Sequence, residues 1–185
     1  MAILRFRIYF EEDESVYRDI ALRHTHTFFD LHQAILKAFE FDNKHAATFF
    51  RSNDQWQQGR EISLEVYDKE YKAPPLMMSE TVIATEIKNP NQRFLYLYDF
   101  VKGWNFLIEL INVSNNDDPE KEYPALVRTS GLAPSQYGTK SMLGEKFADI
   151  EEKYDLLGAG DGFGEKDEEG EDVASDEQFG EEEED

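Results

Sequence analysis

The fold of this chain turns on residues 94–110, Phe94-Leu95-Tyr96-Leu97-Tyr98-Asp99-Phe100-Val101-Lys102-Gly103-Trp104-Asn105-Phe106-Leu107-Ile108-Glu109-Leu110. Phe94, Tyr96, Tyr98 and Phe100 alternate with Leu95, Leu97 and Asp99, the two-residue period of a strand. Val101-Lys102-Gly103 turns the chain, and Trp104, Phe106, Ile108 and Leu110 alternate back, so the segment predicts a hairpin. Leu95, Leu97, Leu107 and Ile111 put large apolar groups on the opposite side as well. A hairpin apolar on both faces belongs in the middle of a sheet and calls for cover on each side.

The segments before it supply partners. Leu4, Phe6, Ile8 and Phe10 alternate with Arg5, Arg7 and Tyr9, an acidic turn follows at residues 11–15, and Val16, Arg18, Ile20 and Leu22 share one face of a second strand. Thr27 with Asp30 three residues on forms a capping-box pattern, after which Phe28, Leu31, Ile35, Ala38 and Phe39 recur at threes and fours and predict a helix ending near Glu40. Strand, strand, helix is a grasp-like opening. Residues 45–51, 62–66 and 81–87 are enriched in β-branched and aromatic residues and predict three more strands. Residues 123–130 predict a short edge strand with Pro124 near its start. Leu143, Phe147, Ile150, Tyr154 and Leu157 form a second helical stripe, with Ser141 as its cap and Gly158 as its stop. The expected architecture is α+β: a mixed or mostly antiparallel sheet packed by two helices in one domain over residues 1–158.

Charge separates the remainder. The 185 residues hold 40 acidic and 19 basic side chains, a net −21, and residues 161–185 alone carry 14 carboxylates against Lys166, a net −13. That leaves −21 + 13 = −8 on the first 160 residues. Residues 159–185 have too few apolar groups to offset the entropy of ordering and are expected to be a disordered acidic tail. With no cysteine, disulfides, thiolate zinc sites, iron–sulfur clusters and cysteine nucleophiles are excluded. No stretch approaches the roughly 20 apolar residues of a membrane-spanning helix, and Arg5 and Arg7 interrupt the first apolar run, which argues against a signal peptide. The expectation is a soluble cytoplasmic protein.

Three blocks carry a family resemblance. Residues Thr27-Phe28-Phe29-Asp30-Leu31-His32-Gln33-Ala34-Ile35 with Ala38-Phe39-Glu40-Phe41-Asp42-Asn43-Lys44-His45 form the first; Phe94 to Phe100 with Gly103-Trp104 form the second; Tyr123-Pro124 followed by Gly131 and Ala133-Pro134 form a weaker third. Together they resemble the Ri-plasmid ORF-three-like family, small proteins, some of them passengers of transposable elements, with no assigned molecular function. The resemblance implies an α+β fold and supplies no activity. It also marks departures: family members commonly place a glycine-aspartate step before the tryptophan and a histidine after it, where this chain has Val101-Lys102-Gly103 and Asn105. They tend to carry a cysteine after the tyrosine-proline pair and a proline-proline-glutamate-aspartate run beyond it, where this chain has Leu126 and Pro134-Ser135-Gln136-Tyr137.

Chemistry candidates follow from both readings. His24 and His26 share one strand face at i, i+2, a spacing open to a metal, although solvent-facing polar residues are ordinary where a strand runs into a cap. His32 and His45 fall inside the resembling block, and Asp99 lies in an apolar neighbourhood before a turn, where a carboxylate needs a partner. The candidate binding residues are therefore His32, His45, Asp99 and Trp104, with His45 expected beside the Asp99 to Trp104 turn. No catalytic set, metal site or cofactor is assigned: the glycine-rich run at residues 158–164 lacks the Walker lysine and a preceding strand, and no serine sits in an esterase-type elbow. The leading expectation is a non-enzymatic interaction module whose acidic tail engages a basic protein partner. The alternatives are a metal-binding or enzymatic His/Asp cluster and a nucleic-acid-associated protein, the latter disfavoured because −21 repels phosphates.

Overall fold

The computed structural model describes residues 1–115 and 118–138. Among these, eight strands form one sheet: β1 (Ile3–Phe10), β2 (Asp13–Arg23), β3 (Ala47–Ser52), β4 (Gln58–Ser63), β5 (Leu76–Met77), β6 (Arg93–Tyr98), β7 (Trp104–Ser114) and β8 (Ala125–Ser130). Their order is β5-β4-β3-β6-β7-β1-β2-β8. Every pairing is antiparallel except β4 with the two-residue β5, so the sheet is mixed and the class is α+β. The β6–β7 hairpin sits at the centre of this order, with Phe94 opposite Ile108, Tyr96 opposite Phe106 and Tyr98 opposite Trp104.

One α-helix, α1 (Phe28–Phe39), is present among the described residues. Its start is fixed by a capping box, in which Thr27 Oγ1 accepts from the Asp30 amide at 3.3 Å and Asp30 Oδ2 accepts from the Thr27 amide at 2.8 Å. It stops because Glu40 takes a left-handed conformation (φ 58°), from which its amide reaches back to the Leu36 and Lys37 carbonyls. The face between these ends buries Phe28, Leu31, Ile35, Leu36 and Phe39. Phe28 meets Phe49 and Phe94 edge-on, each at 5.2 Å between centroids, and Phe39 packs on Phe106 at 4.7 Å. Five buried apolar side chains contribute on the order of 10 kcal/mol before ordering costs, so packing rather than propensity holds this helix.

The other sheet face is mixed. Asp19 is fully buried there and is held by Arg7 Nε at 2.7 Å and Arg5 Nη2 at 3.2 Å, while Arg7 lies over the Tyr17 ring. Leu95 and Leu97 are half-buried, Leu107 is buried, and Ile111 is exposed where the β1–β7 register slips by one residue. The hairpin is thus central, but its second face is covered only in part.

Several sequence expectations need correction. Residues 81–87 are not a strand: Thr81 Oγ1 caps back onto the Met77 carbonyl, Val82 makes a single bridge with Thr27, and Ile83–Glu86 forms a 3-10 helix that drops Ile83 into the core beside α1. Thr81 and Ile83 are the buried residues there, with Val82 and Ala84 half-buried and Thr85 exposed. The strand expected at residues 62–66 lies earlier, at Gln58–Ser63, and Val66 is exposed on the following loop. The chain does open strand, strand, helix, with β1 flanked by β2 and β7, both antiparallel, while β3 pairs with β4 and β6. The second helix expected at residues 141–157 and the acidic tail at 159–185 lie outside the described residues.

Candidate functional site

The left-handed turn at Glu40 directs residues 41–45 along the end of the β6–β7 hairpin, and a strap from Gly131 to Tyr137 crosses the same place after β8. Gly131 permits that return: its φ is 69°, and a Cβ there would stand 2.9 Å from Val16 Cγ2. Helix exit, hairpin turn and strap therefore meet, although they come from distant parts of the sequence.

Asp42 is the hub. Its Oδ1 accepts from Tyr98 Oη at 2.7 Å and Gln136 Nε2 at 2.9 Å, and its Oδ2 accepts from Tyr137 Oη. Its amide donates to Gln136 Oε1 at 2.7 Å. Desolvation pushes the carboxyl up, but donation from Tyr137, Gln136 and Tyr98 outweighs it and holds Asp42 well below the ordinary carboxylate range. The same contacts work in reverse on the phenols. Tyr137 is pushed up to about 12 by its bond to Asp42, and Tyr98 to about 12 by burial and then by that carboxylate. Lys102 clamps the strap from the hairpin side, donating to the Gln136 carbonyl at 2.8 Å and lying 4.5 Å from the Tyr137 ring centre.

His45 stands between two carboxylates. Its Nδ1 is 3.6 Å from Asp99 Oδ2 and its Nε2 is 3.7 Å from Asp42 Oδ1 and 2.7 Å from Tyr137 Oη. Because the Tyr137 hydrogen goes to Asp42, the His45 contact is an Nε2–H donating to the phenol oxygen. Nδ1 then faces Asp99 Oδ2 at 3.6 Å, beyond hydrogen-bond distance. Asp99 is itself a turn residue: it takes a left-handed φ of 56°, and its Oδ1 accepts from the Val101 and Lys102 amides at 3.1 and 3.2 Å.

His32 is deeper and distinct in role. It is fully buried, with Nδ1 2.7 Å from Tyr96 Oη and Nε2 3.2 Å from Asn43 Oδ1. Asn43 Oδ1 only accepts, so Nε2 carries the hydrogen and Nδ1 accepts from Tyr96. Burial pushes His32 down to about 4, against partial support of the charged form by Asn43. It is a neutral imidazole that ties α1 to β6. Trp104 packs its ring on Phe41 at 5.0 Å and Phe10 at 5.8 Å, and its Nε1 is buried without a hydrogen-bond partner.

Of the four sequence candidates, His45 and Asp99 are in direct apposition, His32 reaches the same segment through Asn43, and Trp104 joins through Phe41, which also meets Tyr98 at 6.0 Å. Asp42, Tyr98, Gln136 and Tyr137 were not among them. Asp42 and Tyr98 lie in the resembling blocks, but neither residue type carries a local signal of their contact, and nothing local in Gln136-Tyr137 signals that it closes on residue 42. His24 and His26 serve the chain locally, the His24 amide donating to the Ala2 carbonyl at 2.9 Å and His26 Nδ1 accepting from the Arg23 amide at 3.1 Å. Among the described residues no group of three or more His, Cys, Asp or Glu could hold a metal ion.

A family profile described as plasmid pRiA4b ORF-3-like protein matches residues 2–140, which span the sheet, α1 and the strap. The chain belongs to the plasmid pRiA4b ORF-3-like family. The matched span takes in Thr27 to His45 and Phe94 to Trp104, segments that contribute to the cluster around Asp42. Among solved structures, this ORF-3-like chain is similar to a protein of unknown function from Methanosarcina mazei Go1, at 19% identity and a TM-score of 0.61, covering 88% of this chain and 84% of that one. At that identity the likeness concerns the fold alone. No curated protein matches the chain. Among the described residues no helix is long and apolar enough to cross a membrane.

Proposed function

We propose that this pRiA4b ORF-3-like protein is a non-enzymatic intracellular interaction module whose acidic run at residues 161–185 engages a basic protein partner. The observation that carries this reading is the segregation of charge, 14 carboxylates and one lysine in 25 residues. Such a run creates a strong local negative potential that attracts a basic surface, and screening at about 0.1 M salt confines its reach to roughly 10 Å, so it acts on a partner in contact. The cluster around Asp42 supports the non-enzymatic part. Its carboxylate oxygens are committed to Tyr98, Gln136 and Tyr137, the first oxygen of Asp99 accepts two amides, and both nitrogens of His32 are engaged. Asp42 so occupied braces the strap, Asp99 the hairpin turn and His32 the contact of α1 with β6; none of the three is poised as a nucleophile or a free base. The test is affinity capture with the full chain and with a chain whose carboxylates at 161–185 are replaced by amides. Basic proteins are expected with the first and not with the second, and identical partner sets refute the proposal.

One observation favours a second reading, in which His32, His45, Asp99 and Trp104 form a binding surface: the His45 side chain is 31% exposed between Asp42 and Asp99. On this reading His45→Ala abolishes partner capture while the thermal midpoint stays near that of the parent chain. A variant that keeps its partners removes His45 from the account.

A further inference from the structure

The loop between β4 and β5 folds back on the outer sheet face and places Lys69 in a compact setting. Its Nζ lies 2.6 Å from Glu61 Oε1 and 4.9, 5.4 and 5.9 Å from the ring centres of Tyr71, Phe100 and Phe50. Three aromatic faces and one carboxylate around an ammonium are the elements of a cation-recognition cage, in which the rings contribute through their negative faces and the carboxylate through charge. A cleft of about 220 Å³ adjoins the ammonium, lined by Phe50, Glu61 and Glu70 but also by Arg60 and Lys72, while Tyr71 and Phe100 stand outside its lining.

The walls are held without help from the lysine. Phe50 belongs to β3, and Glu61 in β4 is oriented by the buried Thr48, whose hydroxyl donates to Oε1 at 2.9 Å. Tyr71 Oη accepts from the Tyr67 amide at 2.8 Å, and Tyr67 Oη accepts from the Ala47 amide at 3.0 Å, which pins the loop to β3 on the N-terminal side of Lys69. Phe100 packs edge-on against Tyr67 at 5.0 Å. Lys69 by contrast is a flexible stem on a surface loop, with its side chain 34% exposed. It can swing out and leave three rings and a carboxylate in place. Glu65, Asp68 and Glu70 on the same loop outnumber Lys72, the other cation there, so the loop stays negative without Lys69.

We propose that this is a binding site for the ammonium head of a lysine side chain, methylated or not, on a basic partner, and that Lys69 is its resident competitor. This names the group recognised on such a partner, and for the source of that group it rests on the reading of a basic partner. An internal occupant lowers apparent affinity by the fraction of time the cage is free. If Lys69 fills it about nine-tenths of the time, its removal raises affinity about tenfold.

The experiment uses the full chain and a singly charged probe, the N-acetyl amide of trimethyllysine, with the norleucine analogue as a neutral control. Ring resonances of Phe50, Tyr71 and Phe100 report binding. Lys69→Ala, and independently Lys69→Gln with an unchanged thermal midpoint, should bind the probe about tenfold more tightly than the parent, and Lys69→Ala combined with Phe100→Ala or with Glu61→Gln should lose that gain. Equal affinity in the parent and both Lys69 variants overturns the proposal, as does equal binding of the norleucine analogue. Attraction of the probe to residues 161–185 would be the same in the parent and all variants. A failed cage therefore leaves the acidic-run reading standing, and a failed acidic run leaves the cage testable.

Discussion

Replacing His32 by glutamine should change the pH dependence of stability in a defined window. His32 is fully buried between Tyr96 and Asn43, and burial lowers it from 6.5 to about 4. Between those values the unfolded chain takes up a proton that the folded chain refuses. The contribution of neutral His32 is thus fully present above about pH 6.5 and is lost as the pH falls. At about 1.4 kcal/mol for each pH unit separating the two values, the loss approaches 3 kcal/mol, within a factor of about two, near pH 4. Asp42 does not confuse the window: a carboxyl held low in the folded state loses its stabilising effect only below its ordinary value of 3.8. Near neutral pH, His32→Gln should cost about 1 to 3 kcal/mol, because the flexible amide does not reproduce the imidazole's packing and its simultaneous bonds to Tyr96 and Asn43. Urea unfolding of parent and variant at about pH 7 and about pH 4.5 should show the parent losing more stability than the variant on acidification, narrowing the gap between them by about 2 kcal/mol. Equal losses in the two proteins, or a His32 ring that titrates near its ordinary value by NMR, would refute the account of a buried neutral imidazole.

Two further substitutions test the frame around the site. Asp19→Asn should destabilise by about 2 to 3 kcal/mol in urea unfolding, since the buried carboxylate is the shared partner of Arg5 and Arg7 and the amide keeps one acceptor only; a loss below about 0.5 kcal/mol would mean that the half-exposed arginines find water instead. Glu40→Gly should raise the thermal midpoint by a few degrees, because glycine takes the left-handed φ of 58° without the roughly 1 kcal/mol cost of a side chain.

The central hairpin was legible because its alternation is long and unbroken from Phe94 to Leu110, and the helix because Thr27 and Asp30 frame a stripe that continues to Phe39. Local pattern failed where tertiary demand overrode it. Thr81 to Ile87 reads as a strand, yet Ile83 is buried in the core with its amide donating to the His26 carbonyl just before α1, and a 3-10 turn places it there. The two-residue strand β5 has no periodicity to read at all. At the site, His45 and Asp99 were identifiable from residue type and from the family resemblance. Gln136 and Tyr137 were not, because their meaning depends on a strap returning across 94 and 95 positions to Asp42. Sheet order was similarly hidden: the neighbours of β1 depend on packing of whole segments, which places β7 beside it and sends β3 to the far half.

The acidic run is the core of the functional account, and salt dependence tests it most directly. A captured basic partner should be titrated with the full chain and with the chain neutralised at residues 161–185, at low and at moderate ionic strength. The account predicts that the full chain binds more tightly and loses affinity steeply with added salt, while the neutralised chain binds weakly with a shallow slope. Equal affinities with equal salt dependence would contradict it.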